Sequence, residues 1–203
     1  MMKKYVIGIL AAVFCCTILL NTIQAQVLQQ SISDKILRFH VLANSDSSED
    51  QELKLKVRDE VGIYLSGRLA DASSLEDCEK IARENLPEIE QIASEVIEEE
   101  GYDYAVTASL ENCLFPEKTY GSYTFPSGNY EALRVVIGEG EGQNWWCVLY
   151  PNLCFSGSMY AVDEASGEKL SVELTDEEYA AILENGDYEV SFKILKFLNR
   201  VAE

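Results

Sequence analysis

The spacing of apolar residues in this chain changes at Gly101, and that change limits the fold to helices first and a sheet afterwards. Upstream, Leu53, Val57, Val61, Tyr64 and Leu65 share one helical face, and Ile89, Ile92, Ala93, Val96 and Ile97 share another. Ser48 with Gln51 three residues on reads as a capping box, and Glu49, Asp50 and Glu52 sit where a helix N-terminus favours negative charge. This first helix is expected to run to about Leu69. Ser74 with Asp77 opens a second towards Leu86, and Pro87 suits the first turn of a third. Downstream, Tyr104, Val106, Ala108 and Leu110 alternate with polar positions, as in a sheet with one wet face. Further strands are expected around Tyr120, Tyr123 and Phe125, over residues 130–137 and over 144–150, the last two joined through Gly138, Gly140 and Gly142. A strand over 35–42 precedes the helices, with Leu37, Phe39 and Val41 on one face. Residues 156–173 read as a loop with a weak strand. Thr175 with Glu178 caps a helix that Gly186 stops, and residues 190–201 fit either a helix or a strand. The expected class is α+β: an antiparallel sheet of about four or five strands with helices packed on one face.

The N-terminus sets the compartment. Lys3 and Lys4 precede an uncharged run over residues 5–20, shorter than the roughly 20 apolar residues of a membrane span and suited to a secretory signal. Ala25 fits the position before a cleavage point, whereas Ile23 is larger than the residue preferred two places earlier. Segment 1–25 therefore reads as a signal peptide or as a retained N-terminal anchor, a membrane tether through residues 5–20. In both cases residues 26–203 form a single extracytoplasmic domain, a length that one core can serve. The whole chain carries a net charge of −19, and removing the two Lys of segment 1–25 leaves −21. Such a balance repels phosphate backbones and excludes a general nucleic-acid binder. An exported domain can keep disulfides. Cys147 and Cys154 flank a hairpin centred on Tyr150 and Pro151 that sets them opposite each other, with two packed thiols as the alternative. Nothing chooses between bonded and free for Cys78 and Cys113.

The sequence holds no G-x-S-x-G elbow, no H-E-x-x-H and no G-x-x-x-x-G-K-[ST] phosphate loop. One histidine, His40, and the lack of any C-x-x-C pair exclude the familiar zinc centres, and no cofactor is expected. The oxygen-rich stretch from Asn44 to Asp50 lacks the order and the glycine of an EF-hand, so it is expected to cap a helix. Trp145 and Trp146 are adjacent on one strand; one belongs in the core and the other, pointing the opposite way, is a candidate contact anchor. These features describe a binding protein rather than an enzyme.

Two blocks carry a resemblance. Leu37-Arg38-Phe39-His40-Val41-Leu42-Ala43-Asn44-Ser45-Asp46-Ser47, continuing through Asp50-Gln51 to Lys54-Leu55-Lys56-Val57-Arg58-Asp59, resembles the N-terminal signature of the stage II sporulation protein R family. Tyr120-Gly121-Ser122-Tyr123-Thr124-Phe125-Pro126-Ser127-Gly128-Asn129-Tyr130 is similar to the second block of that family, which runs on through Trp145-Trp146-Cys147 to Leu153-Cys154-Phe155. Residues 156–203 lie beyond the resemblance and are taken as a variable C-terminal extension. The resemblance implies a signal made in the forespore and secreted into the space between the forespore and mother-cell membranes. Its implied partner there is the extracytoplasmic face of a membrane-embedded aspartic peptidase that processes the precursor of sigma factor E. A secreted envelope hydrolase and an anchored structural component of a sporulation complex are the alternatives. Basic groups stand out in a chain this acidic, so Arg38, Lys54 and Arg58, with Asn44, Asp46, Trp145 and Trp146, are the candidate receptor contacts. Pairing of Lys54 and Arg58 with neighbouring acids such as Glu52 or Asp59 is the competing explanation.

Overall fold

The structure, a computed structural model, describes residues 2–70, 72–153 and 164–183. Helix α1 (Met2–Ser33) runs without a break across the expected boundary at residue 25, and Ala12–Ser33 is long and apolar enough to cross a membrane. Its last turns do something else: Ile32 is 1% exposed and Leu28 packs beside it against the sheet. Gly128 permits that approach, because a Cβ there would collide with the Gln29 side chain. The chain then enters β1 (Leu37–Leu42), which is buried at every position.

Helix α2 (Ser48–Arg68) is capped by Ser47, whose hydroxyl accepts from the Asp50 N–H. The cap falls one residue before the expected Ser48 because Gln51, the supposed partner, donates its amide to the Ser45 carbonyl instead. Helix α3 (Leu75–Glu84) is capped by Ser74 over the Asp77 N–H, and α4 (Leu86–Glu99) carries Pro87 in its first turn. Gly101, at φ +84°, turns the chain out of α4 in a conformation that L side chains rarely adopt. The strands that follow are β2 (Val106–Phe115), β3 (Lys118–Tyr120), β4 (Tyr123–Phe125), β5 (Gly128–Ile137) and β6 (Asn144–Tyr150). Two helices come after them, α5 (Glu164–Glu173) and α6 (Asp176–Ile182). Helix α5 stands where a loop with a weak strand was expected, held by Leu170 and Leu174, which bury the same face one turn apart. Thr175 and Glu178 form a reciprocal capping box on α6. The segment 190–201 lies outside the described residues.

The main sheet has the order β2-β5-β1-β6. β1 pairs antiparallel with β6 and β2 with β5, but β1 and β5 run parallel, which corrects the expectation of a wholly antiparallel sheet. A parallel pair requires a long crossover, and here α2, α3, α4, β2, β3 and β4 supply it. β3 and β4 form a separate hairpin that Gly121 turns at φ +57°. One sheet face, carrying Leu37, Phe39 and Val41, packs on α2, α3 and α4 through Val57, Val61, Cys78, Ile89 and Ala93. The opposite face has its own core of Phe115, Phe125, Tyr130 and Val148, which Ile32, Leu170 and Ile182 close. Helices thus cover both faces, not one. That is why β1, in the middle, has no wet side.

Candidate interaction site

The segment between β1 and α2 is fastened to the glycine-rich turn between β5 and β6. Asn44 is the fastener: its Oδ1 accepts from the Glu139 N–H at 3.1 Å, its Nδ2 donates to Asp50 at 2.9 Å, and its carbonyl accepts from the Glu141 N–H at 3.2 Å. Gly142 donates its N–H to the Ala43 carbonyl, and a Cβ at that position would run into the Ser45 backbone. Burial pushes the Asp50 carboxyl up, but hydrogen bonds from Ser45, Asn44, Tyr104 and Ser47 outweigh it and hold the group below its ordinary range. The oxygen-rich stretch is a cap and a staple. Asp46, next to it, is exposed.

The basic candidates fold inwards. Lys54 is buried and donates to Gln51 Oε1 at 2.6 Å and to the Gln143 carbonyl at 2.9 Å; burial and the nearby Arg58 lower its pKa. Arg58 is buried too, ion-paired to Asp59 at 2.6 Å and 5.1 Å over the ring of Trp145. For Arg58 the internal pairing foreseen with Asp59 is therefore what forms. Trp145 meets Phe39 edge-on at 5.5 Å on the face that packs on α2, α3 and α4. Trp146 points the other way, stacked on His40 at 5.9 Å with Lys118 4.1 Å from its ring centre. The two tryptophans divide between the faces as their adjacency on one strand requires.

Arg38 is the least expected of the set. It is 0% exposed, and its guanidinium lies 4.6 Å from the ring centre of Phe115, 5.1 Å from Tyr130 and 5.5 Å from both Tyr120 and Phe125. Nη2 donates to the Tyr120 hydroxyl, which itself donates to the Trp146 carbonyl. Nε and Nη1 have no hydrogen-bond partner among the described residues. Burial lowers its pKa, partly opposed by Tyr120 and Tyr130. His40, two residues along the same face of β1, donates Nε2–H to Asn144 Oδ1 at 2.7 Å, and its buried Nδ1 has no partner among the described residues. The cage is drawn from residues up to 92 positions away from Arg38, so no local motif announces it. The density of aromatic residues between Tyr120 and Tyr130 is the one sequence signal that points there.

Among the described residues Cys78 and Cys113 are free thiols, the former pushed up to about 12 by burial. Cys147 is buried and is not one of the free thiols. Cys154 lies outside the described residues, so the pairing of the two is carried forward as a proposal. No group of three or more His, Cys, Asp or Glu side chains suited to a metal occurs among the described residues.

A four-stranded mixed sheet between two helical layers, led in by an apolar helix and sealed by an Asn-centred staple, makes this an α+β domain, the class expected from the sequence. The chain belongs to the stage II sporulation protein R family, whose family model matches residues 33–160. It is 38% identical over 154 residues to Stage II sporulation protein R of Bacillus subtilis (strain 168), an alignment covering 76% of this chain and 68% of that protein. No solved structure matches it. The matched region begins at the last residue of α1 and leaves α5 and α6 outside. Its role is in sporulation.

Proposed function

We propose that this chain is a secreted sporulation signal that activates a membrane-embedded aspartic peptidase, which then processes the precursor of sigma factor E. Membership of the family over residues 33–160 is the observation that carries the reading. The Lys3-Lys4 start and the apolar helix in front of the matched region support export into the space between the forespore and mother-cell membranes. The domain acts as a ligand and not as an enzyme. With Arg38, Lys54 and Arg58 inside the fold, the accessible contact candidates reduce to the exposed Asp46 and the half-buried Asn44, Trp145 and Trp146. Cys147 and Cys154 form a disulfide that closes the end of β6. Co-production of the chain with the peptidase and the sigma precursor in non-sporulating cells tests the function. Precursor cleavage that depends on the exported chain is expected, and no cleavage with all three proteins present overturns the reading.

A further inference from the structure

Arg38 poses a problem of charge. Enclosing a guanidinium costs several kcal/mol unless the charge is paired and its donors are used. Here no carboxylate among the described residues pairs with it, and two of its nitrogens have no acceptor. The aromatic rings offset part of the charge through their faces but do not replace an in-plane acceptor. Gln29 Nε2 is buried and unpaired as well, but of the buried unpaired donors among the described residues only those of Arg38 carry a charge, and a site waiting for an acceptor explains them. His40, the next inward position of β1, donates its Nε2–H to Asn144 Oδ1, so Nδ1 of the neutral ring is an acceptor and adds no second donor. Its ring lies 5.5 Å from Phe115, the ring nearest the guanidinium, and so walls the site without joining in recognition of an anion.

We propose that Arg38 is a binding site for a carboxylate presented by another protein, shuttered by the β3–β4 hairpin. The chemistry selects a monoanion, since one negative charge neutralises the one buried guanidinium, while a doubly charged phosphate leaves an excess charge in an aromatic enclosure. The guanidinium also has the planar donor geometry that a carboxylate matches. The shutter is the part of the wall with least backbone attachment. β3 and β4 pair with each other and not with the main sheet, while Tyr120 and Phe125, one on each strand, close the cage. Swinging the hairpin away breaks the Tyr120 bonds to Arg38 and to the Trp146 carbonyl, the Tyr123 bridge to Leu183 and its hydroxyl bond to Tyr179, uncovers Phe125, and opens the guanidinium to an acidic side chain. Within a chain this acidic, the enclosure also keeps the protein's own carboxylates from occupying the site. The site goes beyond the activation proposed above and does not rest on it.

The test uses the full chain with arginine side chains labelled with nitrogen-15. Titration with sodium acetate is expected to shift the Arg38 Nε resonance saturably, while sodium chloride at equal ionic strength does not. Acetate at about ten times its dissociation constant should raise the melting temperature by about 3 °C in the parent protein and not in Arg38→Met. A short peptide with one aspartate should compete with acetate, and its asparagine counterpart should not. Competition assigns the site to a protein carboxylate as proposed, whereas acetate binding without competition by the peptide overturns the protein source. An Arg38 resonance indifferent to acetate overturns the site itself. The parent titration needs no variant, so a poorly folding Arg38→Met leaves the test intact, and none of these readouts involves the peptidase.

Discussion

Asn44 shows how one short side chain can settle the position of a functional loop. It joins three segments that are far apart in sequence: the end of β1, the start of α2 and the β5–β6 turn. Asn44→Ala removes two side-chain hydrogen bonds and leaves the Glu139 N–H and part of the Asp50 carboxylate unsatisfied. A loss of about 2 kcal/mol is expected, read as a fall in melting temperature of about 4–8 °C. Asn44→Asp, which keeps the acceptor but sets a second carboxylate against Asp50, should be at least as damaging. His40 offers a cleaner measurement, because it is the chain's single histidine. Burial lowers its pKa from 6.5, with Arg134 and Arg38 adding to the shift against the bond to Asn144. A folded-state pKa below the unfolded value means that the unfolded chain takes up the proton first. Stability linked to His40 is therefore fully present above pH 6.5 and is lost as pH falls from there through the lower folded value. The proton resonances of the imidazole should titrate below 6.5, and His40→Gln should flatten the stability profile just under that pH. A titration at or above 6.5 contradicts the enclosure described for this ring.

Among the elements, α6 buries Ile182 in the second core and is tied to the end of α1 through one carboxylate. Glu178 is 3% exposed, caps its own helix at the Thr175 N–H, and receives Ser31 and Lys35 from the end of α1 and the residue pair after it. Burial pushes this carboxyl up, but the bonds from Lys35, Ser31 and Thr175 overcome it and set the pKa at about 2. Its contribution is therefore present above the ordinary value of 4.5 and is lost as pH falls towards about 2. Glu178→Gln should cost about 2 kcal/mol at neutral pH and about nothing near pH 2. Equal destabilisation at both pH values argues against the charge-assisted bonds. The Thr175–Glu178 box was legible in the sequence because a capping box is local, and so were Ser74 over Asp77 and Pro87 in α4. Ser47 was not distinguishable from Ser48, since the choice depends on where Gln51 donates. The parallel pairing of β1 and β5 was hidden for a stronger reason: alternation fixes which residues share a face and says nothing about strand direction. Helix α5 was missed because Leu170 and Leu174 acquire a partner surface only once Ile32 and Phe125 are in place. The candidate contacts could be picked out by residue type, but their posture could not. Lys54 and Arg58 stood out by charge, but a long stem with a charged tip can fold inwards when a carbonyl or a ring waits for it, as Gln143 and Trp145 do here.

For the whole molecule, the question is where the folded domain begins and what fastens its ends. The proposed Cys147–Cys154 bond closes a short loop at the end of β6, worth about 2–3 kcal/mol in the chain-entropy picture. Alkylation of the unfolded exported domain before reduction should label Cys78 and Cys113 alone, and after reduction all four cysteines; four labels before reduction exclude the bond. The other end is α1, whose two halves have opposite demands. The stretch before residue 25 exposes Val13, Phe14, Leu19 and Leu20, as a segment made for lipid or for removal does. The stretch after it is part of the domain, since Ile32 fills the second core and Ser31 bonds to Glu178. A cleavage after Ala25 therefore spares everything that packs, and leaves Gln26 to Ser33 as the first helix of the mature protein. A chain beginning at Gln26 should match the stability of the parent domain, whereas one beginning at Lys35 loses the burial of Ile32, about 1.5–3 kcal/mol, together with the Ser31 bond. Denaturant unfolding of the two chains should then show a lower midpoint for the shorter one with its helices and sheet retained. Equal midpoints place the end of α1 outside the folding unit and remove the argument that the helix must continue past residue 25.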